Sequence, residues 1–118
     1  MRFMLMCCFD EDRWTGLADS QRTEIMDAYG RWIQDHVASG HHITGGKLDD
    51  SATATTVRKP GGQPSLKDGP FSEAKEQIGG YHVIECADHE TAVAIAQGIP
   101  TLPAGGVVEV RPLLRWFD

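Results

Sequence analysis

From Phe3 to Phe9 the chain reads FMLMCCF, apolar at every position. A strand with one wet face alternates apolar and polar residues, so a strand lacking that alternation must be covered on both sides. The rest of the chain therefore has to supply two covering layers. A sequence of 118 residues fits one domain, read here as residues 1–118, and a core of that size gains from burying further surface against a partner.

Beyond the first strand, DEDRWTG reads as a loop, after which Asp19 or Ser20 caps a helix. In that helix Ile25, Met26, Tyr29, Trp32, Ile33 and Val37 recur at helical spacing as far as Gly40. HHITGGKLDD holds a second strand, where Gly45 and Gly46 mark a bulge or a close backbone approach. TATTVRK, rich in β-branched residues, joins QPSLK through the PGG turn as a hairpin. A further strand runs from Gly80 to Ala87, and Asp88 caps a second, Ala-rich helix ending at Gly98. In VVEVRPLLRW, Val108, Val110, Leu114 and Trp116 alternate with Glu109, Arg111 and Arg115, a half-buried strand that Pro112 places at an edge or a bulge.

Right-handed crossovers turn this order into an α+β fold: a ferredoxin-like βαββαβ antiparallel sheet with an inserted β-hairpin. Two helices roof one face only. The expected cover for the other is a second copy of the chain, making a homodimer.

The formal net charge of −6 and pI near 5.2 offer no clustered cations for phosphate, so nucleic acid is not expected as a partner. No apolar stretch is long enough to cross a bilayer, and no membrane partner is expected. The opening apolar run is short, runs into DED and lacks a small-residue cleavage site, so it reads as a strand and the protein as cytoplasmic. Cys7, Cys8 and Cys86 are odd in number, show no CxxC spacing and read as reduced core thiols. The five histidines match no metal-ligand spacing, Gly79-Gly80 makes no phosphate loop, and Trp14, Trp32 and Trp116 read as core or interface anchors. No cofactor is expected.

The stretch most open to a chemical reading is KDGPFSEAKEQIGGYHVIE, from Lys67 to Glu85. Asp68 there is either a turn former, as most Asp-Gly pairs are, or a working carboxylate. Phe71 reads as an anchor packed into the core, and Ser72 as the cap of a helical turn through EAKEQ that sets Glu73 near a positive helix end. Near Glu73 and Glu76, a partly desolvated Asp68 would have a raised pKa suited to a general acid or base. Pairing with Arg58 would instead hold it ionised for binding or structure. His42 or His82 could serve as its proton partner, His42 by preference, and Tyr81 either points its hydroxyl into the pocket or is a half-buried strand aromatic.

DGPFSEAKEQIGGYHVIE, together with GHHITGGKL, TATTVRK, ETAVAIAQGIP and GGVVEVRPL, resembles the signature of the DGPF-domain, or YCII-related, family of small bacterial proteins. The likeness spans nearly the whole chain. It implies a dimeric, ferredoxin-like α/β barrel, a pocket near Asp68, a His–Asp pair in which Asp68 is the Asp, and a genomic association with extracytoplasmic-function sigma factors. Two functions are then expected. In one, a small organic molecule binds at the sheet and dimer interface, with cofactor-free acid/base chemistry by Asp68 assisted by His42. Arg58, Glu73, Glu76, Tyr81 and His82 would surround that molecule. In the other, the chain is a non-catalytic regulator or sensor associated with a sigma factor.

Overall fold

The structure is a computed structural model that describes residues 1–117. Strand β1 (Arg2–Asp10) carries the apolar run, with Phe3, Leu5 and Cys7 buried and Met4, Met6 and Cys8 half-buried between them. The chain continues through α1 (Glu11–Gly16), α2 (Asp19–Ala38), β2 (His42–Lys47), β3 (Thr55–Arg58), β4 (Ser65–Asp68), β5 (Glu76–Glu85), α3 (His89–Ala96) and β6 (Val107–Pro112). Four strands form one antiparallel sheet in the order β2-β5-β1-β6, each helical crossover skipping one strand, which is the ferredoxin-like arrangement. As expected, β3 and β4 form a separate hairpin and β6, with Pro112, lies at the sheet edge.

The helices lie over the face made by Phe3, Leu5, Cys7 and Ile84, where Trp32, Ala92, Ile95, Ala96 and Ile99 close the core. Trp32 ties α2 to the end of α3 by donating its indole N–H to the Ile95 carbonyl at 3.2 Å. Asp88 caps α3 by accepting the Thr91 backbone N–H at 2.8 Å.

Local structure departs from expectation at four places. DEDRWTG is a helix and not a loop, because the Asp10 carboxylate accepts the N–H groups of Asp12 and Arg13 at 3.0 and 3.3 Å and two acids occupy the first turn. Neither Asp19 nor Ser20 caps α2: Ala18 is the cap residue, and the Gln21 side chain returns to accept its backbone N–H at 2.9 Å. EAKEQ forms no helical turn, since β5 starts at Glu76, where pairing with Asp10 and Phe9 of β1 outweighs one isolated turn. The Ser72 hydroxyl accepts only the Ala74 N–H, at 3.3 Å. Finally, β6 stops at Pro112, so Leu114 is fully exposed and Trp116 lies beneath the Arg2 guanidinium, 4.7 Å from ring centre to Cζ.

No helix among the described residues is long and apolar enough to cross a membrane. The face of the sheet away from the helices holds Met4, Met6, Cys8 and Tyr81, all half-buried, while Val57 and Leu66 of the hairpin and Phe71 just after it are exposed by 69–73%, so Phe71 is not the core anchor expected of it. The chain's surface is 7992 Å², against about 6,300 Å² for a compact monomer of this mass. Its radius of gyration is 16.0 Å, against roughly 13.5 Å.

Candidate functional site

On α2, residues 26, 29 and 33 share one face by their spacing of three and seven, directing Met26, Tyr29 and Ile33 toward the sheet. Strand alternation turns Cys7 of β1 and His82 of β5 to the same side, and pairing of His42 with Ile84 brings β2's first residue to it as well. Between these elements lies a cavity of about 700 Å³, closed at one end by α1 through Trp14 and by the 48–52 segment. That is the size of an ordinary small-molecule site.

Four side chains in the cavity wall form one hydrogen-bonded chain. Cys7 Sγ and the Tyr29 hydroxyl are 3.3 Å apart, the same hydroxyl meets His82 Nε2, and His82 Nδ1 lies 2.9 Å from His42 Nε2. Trp32 packs edge-on against both imidazoles, with ring centres 5.0 and 6.3 Å away, and limits their tilt. Gly45 makes the histidine pair sterically possible: a Cβ there would come within 2.7 Å of both His82 Nδ1 and the Tyr81 carbonyl oxygen.

Burial sets the charge state of these groups. It pulls His82 down to about 4, and the adjacent His42 adds to the effect. His42 is lowered too, by its own burial and then by His36. Burial pushes the Cys7 thiol up and the Tyr29 phenol far up. At neutral pH the chain is thus uncharged throughout, and its hydrogen bonds join neutral groups. Charge enters only at the rim, where Asp12, Asp49, Asp50 and Lys47 line the cavity with Glu11. Glu11 also latches the 48–54 loop by accepting the Ser51 N–H at 2.8 Å and the Ser51 hydroxyl.

Of the residues singled out in the sequence, His42 and His82 are brought together here. Asp68 is not among the lining residues: it is exposed at the base of the hairpin, opposite Thr55. Gly69 beside it donates to the Ala54 carbonyl at 2.7 Å and accepts the Thr56 hydroxyl at 2.8 Å, so the Asp-Gly turn is fully tied. Arg58 does not pair with Asp68. It lies at the other end of the four-residue ladder, opposite Ser65 and roughly 10 Å along the strand, with its guanidinium 5.0 Å from the Phe71 ring. Glu76 faces Asp10 across the sheet, Glu73 lines a shallow surface depression beside Ser72, and Tyr81 is half-buried on the opposite face, beside Gly46. Tyr29 and Cys7 were read from the sequence only as core residues. The signal was Tyr29 itself, since a tyrosine on an apolar stripe brings a hydroxyl that needs a buried partner.

Fold and cavity together define a small α+β protein of ferredoxin-like topology with a half-open chamber between α2 and the sheet. Residues 1–117 match the YCII-related domain, and the chain belongs to that family. It is 29% identical over 114 residues to an uncharacterized protein of Rhizobium meliloti (strain 1021), covering 96% of this chain and 92% of the relative. Among solved structures it resembles 5-chloro-2-hydroxyhydroquinone dehydrochlorinase from Burkholderia phenoliruptrix AC1100, in complex with 2,5-dihydroxybenzoquinone. That likeness has a TM-score of 0.54 over 99% of this chain and 94% of the other, at 15% identity, and shows a shared fold.

Proposed function

We propose that the protein binds a small organic molecule in the chamber beneath α2 and moves a proton on it without a cofactor, His42 being the transferring group and His82 its support. The observation that carries this reading is the 2.9 Å contact between the buried imidazole of His82 and the half-buried imidazole of His42, both uncharged, at the wall of a 700 Å³ cavity. An imidazole held neutral near pH 7 can give a proton at one nitrogen while the other takes one from its neighbour. The structural neighbour's complex with 2,5-dihydroxybenzoquinone supports a small-molecule ligand on this fold. Asp68 takes a secondary place, as a carboxylate at the hairpin base next to the loop that forms the chamber's outer wall. The protein works as a homodimer in this reading, because the surplus of about 1,700 Å² per chain over a compact monomer, roughly 3,400 Å² for two chains, falls in the range that obligate homodimers bury.

Calorimetric titration against a panel of small phenols, quinones and ketones, with turnover followed on every binder, tests this. At least one compound should bind wild type and bind His42→Ala about tenfold more weakly, with turnover lost. Asp68→Asn, which lies outside the chamber lining, should leave affinity within about twofold. Binding by no compound, or equal binding and turnover in His42→Ala, overturns the proposal.

A further inference from the structure

The hydrogen-bonded chain behind His42 has a direction, and the direction follows from counting hydrogens. Cys7 is a protonated thiol, and its one hydrogen-bond partner among the described residues is the Tyr29 hydroxyl. Tyr29 has a single hydrogen to place. Were it given to Cys7, a weak acceptor, the thiol hydrogen would have no acceptor, and His82 Nε2 would have to carry a proton toward Tyr29. In the opposite direction each hydrogen finds an acceptor: the thiol donates to the Tyr29 oxygen, Tyr29 donates to His82 Nε2, and His82 Nδ1–H donates to His42 Nε2. The last proton in the series then sits on His42 Nδ1, a nitrogen with no hydrogen-bond partner among the described residues, on a ring that lines the cavity.

We propose that Cys7, Tyr29 and His82 act as positioning residues that fix His42 in its Nδ1–H tautomer, so that the chamber offers a neutral N–H donor and selects ligands bearing a carbonyl oxygen. This rests on the chamber being the ligand site, and it adds the class of ligand. A neutral imidazole aimed at a carbonyl polarises it and stabilises charge that develops on the oxygen, and it does so without the desolvation cost of a buried cation. Gly45 belongs to the same device, since a side chain there would separate the two rings.

Long-range ¹H–¹⁵N spectra of the ligand-free protein at neutral pH read the tautomers directly. Both His42 and His82 should show a protonated Nδ1 and an unprotonated Nε2. Tyr29→Phe, which keeps the ring and removes the donor, should shift His82 toward the Nε2–H form and leave His42 mixed, whereas Cys7→Ser, which keeps a donor, should retain the wild-type pattern. A wild-type His42 protonated at Nε2, or a tautomer unmoved in Tyr29→Phe, overturns the positioning role. Acetophenone and ethylbenzene, alike in size and differing in the carbonyl, test the ligand class: acetophenone should bind about threefold or more tightly and shift the His42 Nδ1–H resonance. Equal binding of the two overturns the selection while sparing the chamber as a ligand site. Binding of neither overturns both.

Discussion

His82 is a base kept from its proton. With its folded value near 4 and its ordinary value at 6.5, the unfolded chain binds protons between those limits that the folded chain refuses. The sign follows: the stability associated with neutral His82 is complete above pH 6.5 and is lost as pH falls toward 4, by roughly 2–3 kcal/mol over that window. Urea unfolding at about pH 7 and about pH 4.5 should show this loss in wild type and a flatter profile in His82→Gln. An unchanged slope would place the pH sensitivity elsewhere. The sequence marked His42 and His82 as able to face a pocket, because strand alternation restricts where each can point. It did not mark Cys7 or Tyr29, because an apolar stripe reports burial and says nothing of which buried polar atoms meet.

At the scale of elements, β1, α2 and the hairpin were legible from patterns many residues long. Helix α1 was hidden among charges: none of its six residues is fully buried and Trp14 is its one apolar contact, so no apolar stripe announces it, and only Asp10 and the acids after it mark its start. β5 began earlier than its apolar residues suggested because pairing with β1 extends through polar Glu76 and Gln77, a cross-strand effect that local composition does not carry. The tie from α1 to the 48–54 loop rests on Glu11. Glu11→Ala should cost about 1–2 kcal/mol and speed amide exchange at Ser51 severalfold, since that N–H loses its acceptor. Exchange at Ser51 unchanged from wild type would mean the latch contributes nothing to holding the loop.

For the whole molecule, the seven apolar residues from Phe3 to Phe9 already required a second cover, and the structure leaves one face of the sheet without a helix while the hairpin and the segment after it hold Val57, Leu66 and Phe71 in solvent. Light scattering at micromolar concentration should give twice the chain mass. Leu66→Asp with Phe71→Asp should shift it toward the single-chain mass if the hairpin shares in the contact, and a wild-type protein running as a well-folded single chain would remove the dimer from the account. The seven-residue connection that leaves β2 contributes Asp49, Asp50 and Ala52 to the chamber and then, at Ala54, grips the turn that begins at Gly69. One stretch of backbone is thus both the wall of a room and the post to which an arm is fastened.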